Sequence, residues 1–218
     1  MPARFVVQQA GLSNLETRVS GTIWKGEVQL DGNHVMVWET SAMESVRRMT
    51  AVVNWRLTGP GTDLSGRVAV PLPARADRVT FDAVDGNISW PLIDAAMPGL
   101  PITCMARARI SMLRVSLSGS SRTGEGSLSA PAGSCTRIDG TVEPVATPAL
   151  SATLASGADG LVAVLTPADA PQTALATGRL TNDDRIIVTV HAAGAALVPG
   201  MPSSADSEIE LPLQALLP

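Results

Sequence analysis

The sequence predicts an all-β fold, mainly antiparallel: a meandering, strongly twisted or curled sheet or sandwich of about a dozen strands with one to three short helices. Three observations predict it. Apolar and polar residues alternate through many short segments, which is the period of a strand with one buried face. Nineteen glycines and 16 prolines cut the chain into pieces too short for long helices. A five-residue unit, apolar-x-Gly-x-apolar, also returns inside alternating segments, as Val19-Ser-Gly-Thr-Ile23, Leu64-Ser-Gly-Arg-Val68, Val84-Asp-Gly-Asn-Ile88 and Ile138-Asp-Gly-Thr-Val142. A looser copy is Ala176-Thr-Gly-Arg-Leu180. In each, the glycine shares a face with its apolar neighbours and leaves a notch where a backbone or ring can approach.

The elements follow in order. Residues 2–10 fit a short helix with Pro2 in its first turn and Gly11 at its stop. Residues 18–39 read as strands broken at Gly26 and at Asp31-Gly32, a hairpin signal. In that reading Val19, Gly21 and Ile23 face one way, and Ser20, Thr22 and Trp24 the other. Ser41-Ala-Met-Glu44 fits a capping box for a short helix over 42–49, with a loop feeding the next strand as the alternative. Strands at 51–58 and 64–72 flank the turn Gly59-Pro-Gly61. In 77–90 two apolar sets are out of phase, so a bulge or turn is expected near Ala83. Residues 91–97 form one or two helical turns. The run 101–118 slips phase between Met112 and Leu113, a second bulge or bend. After a turn over 119–124 come strands at 125–130 and 136–143. Residues 144–149 are the candidate sub-boundary within a single β domain spanning 1–218. Strands near 149–156, 160–165, 173–181, 185–192 and 206–213 complete the meander, with Asn182-Asp-Asp184 as one turn and a proline loop at 199–203.

Composition excludes several functions. Apolar residues make up 45% of the chain, charged residues 17%, aromatics 3%, and there is no tyrosine, so the core is aliphatic. Fifteen of the 16 basic residues are arginine, scattered under a net charge of -4, which is no nucleic-acid footprint. No apolar run is long enough for a membrane helix. His34 and His191 lack ligand partners at motif spacing, so no metal is expected and both histidines read as structural. No G-x-S-x-G elbow marks a nucleophile, and no cofactor or catalytic residue is expected. The segment Gly124-Glu-Gly-Ser-Leu-Ser129 imitates a dinucleotide loop but lies among strands without a following helix. Glu208/Glu210 and Asp183/Asp184 read as solvated charges on a strand face and in a turn.

Trp38, Trp55 and Trp90 fit apolar faces, whereas Trp24 falls on the polar face and is the candidate interface residue. The two cysteines, Cys104 and Cys135, are either a bridge worth about 3–4 kcal/mol in an oxidising compartment or two separate core thiols.

The segment Val19-Ser-Gly-Thr-Ile-Trp-Lys-Gly26 resembles the signature near the start of the periplasmic region of type II secretion system protein N, the general secretion pathway protein N family. Asn54-Trp55-Arg56-Leu57 with the strand Leu64-Ser-Gly-Arg-Val68 is similar to its next segments, as are Leu100-Pro-Ile-Thr-Cys104, the strand start at 124–128 followed by Cys135, and Gly160-Leu-Val-Ala-Val-Leu-Thr-Pro167. The matches run in family order over most of the chain. The resemblance implies a non-enzymatic inner-membrane protein whose domain faces the periplasm. Its anchoring helix would lie outside this sequence. Expected partners are other components of the type II apparatus, on the inner-membrane platform or the periplasmic domains of the secretin. The implied periplasm favours the Cys104–Cys135 disulfide. A second expectation comes from a mean hydropathy of +0.21: a periplasmic β-groove for a lipid or other apolar ligand.

Overall fold

The computed structural model describes residues 18–71, 78–96, 102–119, 121–138, 140, 143–199, 201–202 and 204–212. Thirteen strands form one antiparallel sheet in nearly sequential order: β1 (Arg18–Gly21), β2 (Lys25–Leu30), β3 (His34–Thr40), β4 (Thr50–Gly59), β5 (Thr62–Pro71), β6 (Arg78–Ser89), β8 (Arg107–Ser118), β9 (Ser121–Ala130), β12 (Leu150–Gly157), β13 (Gly160–Pro167), β14 (Ala176–Thr181), β15 (Arg185–Val190) and β16 (Ser207–Pro212). The remaining three, β7 (Ile102–Cys104), β10 (Gly133–Arg137) and β11 (Val145–Thr147), form a small satellite sheet. Among the described residues three short helices interrupt the meander: α1 (Ala42–Arg48), α2 (Trp90–Ala96) and α3 (Ala192–Ala195). The large sheet does not close into a barrel. The all-β expectation and the antiparallel meander are therefore what the chain adopts.

Register shows how alternation becomes a face. Val28 pairs with Met36, Met36 with Leu57, and Leu57 with Leu64. Ile110 then pairs with Leu128, Leu128 with Ala152, Ala152 with Leu165, Leu165 with Ala176, and Ala176 with Val190. Cross-strand partners share a side of the sheet. The apolar sets thus line up as one continuous face, which carries buried Val28, Leu57, Leu64, Val84, Val115 and Leu161. We call this the inner face. The opposite face carries Asn54, Arg56, Asp63, Asp85, Arg109, Ser127 and Glu208.

Both expected bulges are present. The β5–β6 register shifts between Ser65 and Arg67, opposite Ala83, whose φ is +50°. The β8–β9 register shifts between Met112 and Arg114, leaving Leu113 outside the ladder and exposed. Each bulge returns an out-of-phase half-strand to the inner face, so Val79 and Phe81 join Val84 and Ile88 there.

The sheet rolls toward its inner face. Strands β9 and β13 touch although β12 lies between them. A Cβ added at Gly124 would meet Leu161 Cδ2 of β13 at 3.0 Å. At one end of the strands, α2 touches the 3-10 turn Asp31–Asn33, which joins β2 to β3. Beside that turn His34 is 0% exposed and packs on Gly59.

Several expectations need correction. The 19–26 stretch is not one strand but a hairpin: Gly21 adopts φ +95°, and Thr22 Oγ1 accepts the amides of Trp24 and Lys25. Gly26 does not break a strand; it sits inside β2 under the Trp38 ring. The turn expected over 119–124 is shorter, because β9 begins at Ser121; of the strand expected at 136–143, residues 136–137 belong to β10, Gly133–Arg137, and residues 139 and 141–142 lie outside the described residues. Helix α1 forms where expected, but Ser41 makes no side-chain cap. Instead Ser45 Oγ donates to Ser41 O at 2.6 Å and accepts the Val52 amide at 3.0 Å, which seats the helix on β4. Helix α3, within the end expected for a strand over 185–192, was not foreseen. The candidate sub-boundary near 144–149 is not among these corrections; its residues 145–147 form strand β11, and β12 beyond them pairs with β9. The expected helix over 2–10 lies outside the described residues.

Candidate functional site

Four features bear on function: the turn at Trp24, the disulfide, a hydrogen-bonded cluster around His191, and the sheet's two open edges. Trp24 is 57% exposed at the tip of the β1–β2 turn. Its carbonyl accepts the Thr40 amide at 2.6 Å, so the turn is fixed to the end of β3 while the ring faces solvent. The other indoles do structural work. Trp38 and Trp55 lie opposite each other in β3 and β4. A Cβ on Gly66 would meet Trp55 Cζ2 at 2.9 Å and Val84 Cγ2 at 2.9 Å, so this glycine is the notch its five-residue unit predicts. Trp38 Nε1 donates to Thr22 O at 3.1 Å and ties its ring to the β1–β2 turn.

Cys104 and Cys135 form a disulfide between directly paired positions of β7 and β10, with Cα atoms 4.1 Å apart. It closes the satellite sheet at the base of the long β8–β9 hairpin. An arginine that sequence reading passed over holds the opposite end of that hairpin. Arg122 occupies an inner-face position opposite Leu117 yet is only 8% exposed. Its guanidinium bonds Asp184 and the Ser118 carbonyl, and its amide donates to Asn182 Oδ1 at 3.0 Å. The β14–β15 turn is thereby held against β9, across β12 and β13. Asn182-Asp-Asp184 is the turn the sequence predicts; its docking onto Arg122 is a contact 62 residues distant, which no local pattern reveals.

The cluster on the outer face joins Thr177 Oγ1 to His191 Nε2 at 3.1 Å and His191 Nδ1 to Asp206 Oδ2 at 2.8 Å. Asp206 also accepts the Ala192 amide at 3.0 Å, and these bonds, His191 first, hold its carboxyl below the usual carboxylate range. The connectivity is that of a hydroxyl–imidazole–carboxylate relay. Its surroundings differ from an acyl-transfer site. Thr177 is mid-strand, paired with Val164 on one side and Thr189 on the other. The backbone of residues 176–178 is committed to those ladders. The relay ties the segment from α3 to β16 onto the sheet. Among the described residues, no three His, Cys, Asp or Glu side chains are grouped to hold a metal ion. No helix among them is long and apolar enough to cross a membrane.

Among the described residues the sheet ends at β1 and β16, each paired on one side only. Ile209 and Leu211 of β16 lie on the inner side, 48% and 38% exposed. No family model, curated protein or solved structure matches the chain.

Proposed function

We propose that this chain is a docking domain of the type II secretion apparatus, facing the periplasm and anchored to the inner membrane by a segment outside this sequence. In this reading it does no chemistry and engages platform or secretin domains through strand edges and exposed side chains. The observation that carries the docking role is a single-layer, thirteen-stranded sheet left open at two edges. Unpaired edges are templates for strand addition, and natural proteins protect them unless a partner uses them. Exposed Trp24, beside the β1 edge, has the composition of an interface anchor. The Cys104–Cys135 disulfide supports an oxidising compartment such as the periplasm. The place in the secretion apparatus rests on the ordered sequence resemblance.

The test is secretion in the parent organism after deletion of the gene. Exoenzymes trapped in the periplasm, and released when the gene is restored on a plasmid, are the expected result. Unchanged export would remove the secretion assignment.

The continuous apolar inner face supports a second reading, a groove for a lipid or another apolar ligand. Native mass spectrometry separates the two. Co-purifying lipid favours the groove, and bare protein across several mild preparations counts against it.

A further inference from the structure

We propose that the free edge of β16 is the docking strand, and that it receives an extended segment of another protein whose residues alternate between apolar and basic. This deepens the docking reading above and rests on it.

The backbone sets the edge. The Arg185 amide donates to Thr181 Oγ1 at 3.0 Å, and the same hydroxyl donates to the Arg185 carbonyl at 3.0 Å. Thr181 belongs to β14, so Arg185 directs its backbone groups that way. Direction alternates along an antiparallel strand. Ile186, Val188 and Val190 therefore address β16, where their partners are Leu211, Ile209 and Ser207. Glu208 and Glu210 are left with amide and carbonyl on the free edge. Pro212, which has no amide to offer, ends it.

The side chains set the partner's chemistry. Ile209 and Leu211 continue the inner-face rows of Val188 and Ile186 but, among the described residues, have no paired strand on their far side. Apolar residues on an added strand would cover them. On the outer side Asp206, Glu208 and Glu210 place a carboxylate at every second position. Arg185 bonds both Asp183, at 2.7 Å, and Glu210, at 2.9 Å, and Asp206 is held by His191. Among the described residues, Glu208 is bonded by the Thr189 hydroxyl alone, at 3.4 Å. Negative charge exceeds positive along this edge, so Lys or Arg suits the positions opposite Glu208 and Glu210. The other edge offers no such pattern: β1 is four residues long and ends in Gly21.

The experiment uses a fluorescent peptide of four Lys-Val repeats and a scrambled peptide of the same composition. Binding is read by anisotropy against the folded chain at low and physiological salt. The alternating peptide is expected to bind at least about tenfold more tightly than the scrambled one. Glu208→Pro deletes a free-edge amide without touching the ladder to β15, and a roughly tenfold loss is expected with an unchanged melting curve. Glu208→Lys is expected to weaken the Lys-Val peptide and admit a Glu-Val peptide. Equal binding of both basic peptides would reduce the edge to a charge patch and overturn the proposal. So would undiminished binding by folded Glu208→Pro, or, where that variant fails to fold, by Glu208→Lys. The functional reading fails separately. Tight peptide binding with secretion unaffected by gene deletion keeps the docking strand and removes the secretion assignment. Secretion lost on deletion and fully restored by the Glu208→Pro gene does the reverse.

Discussion

The amino-terminal strands β1–β6 and the carboxyl-terminal strands β9–β16 are rolled by different means. All four tryptophans precede residue 91, and no aromatic residue follows Trp90. In the first region the curl is a matter of shape: Trp38 lies on Gly26, Trp55 enters the Gly66 notch, and α2 reaches across to the turn before His34. In the second the faces are Leu, Val and Ala. There the curl is held by a polar clasp, Arg122 with Asp184 and Asn182, and by Ser156 Oγ, which bonds both backbone groups of Gly124, at 2.9 and 3.2 Å. A single-layer sheet has no second layer to pack on, so something must draw distant strands together. Helix α2 and the Trp38 bond to the Thr22 carbonyl do this in the first region, and a buried arginine does it in the second.

Four predictions break or sharpen that contrast. The largest effects come from emptying either side of the roll. Leu57→Ala and Leu161→Ala, both at buried positions, are each expected to cost about 2–5 kcal/mol in denaturant unfolding. Hydrogen exchange should then rise first among β3–β5 for the former and β9–β13 for the latter. A uniform rise would mean that the two regions are one cooperative unit. Next, Asp184→Ala leaves the Arg122 charge buried. A loss of about 2 kcal/mol is expected, kept modest because Asp184 is itself 37% exposed. Adding Arg122→Met should recover most of it, and a double variant no better than the single would argue against the clasp. Gly66→Val drives a side chain into Trp55 and Val84 and should cost about 1–3 kcal/mol, read as a lower melting temperature. The same change at Gly178, where a Cβ would find only Ala163 at 4.0 Å, should be nearly silent.

The smallest effect is on pH. Asp206 and Asp183 are held below the ordinary carboxylate range, Asp206 chiefly by His191 and Asp183 chiefly by the Thr181 hydroxyl. A depressed carboxylate contributes stability above its unfolded pKa and loses it as pH falls through the folded value. The melting temperature should therefore drop on acidification through and below about pH 4, with a shallower drop in Asp206→Asn. Identical acid profiles would remove Asp206 from that account.

What was legible in the sequence was local. The bulge near Ala83 and the slip at Met112 show as breaks of phase within one strand, and the Asp31-Gly32 and Asn182-Asp-Asp184 turns show in their residue types. The Gly66 notch is visible in its unit, although the sibling unit at Val19 bends into a turn at Gly21, and Gly140 of another sits in a bend at φ +65°. Trp24 was placed on a polar strand face because alternation continues through the β1–β2 turn, and periodicity does not register a reversal of direction. The Arg122 clasp, the satellite sheet and the His191 cluster join residues far apart in sequence, which single-segment patterns do not encode.

The sequential order of the large sheet also has a consequence for how the chain acquires its shape. Nearly every strand pairs with the one made just before it, so little loop entropy is spent on distant closures. A chain delivered amino end first through a narrow channel can lay down strand upon strand as it emerges, without waiting for its last residues. At each moment the newest strand is the template for the next. The cysteines flank the β8–β9 hairpin, so the loop that their bond closes contains that whole hairpin.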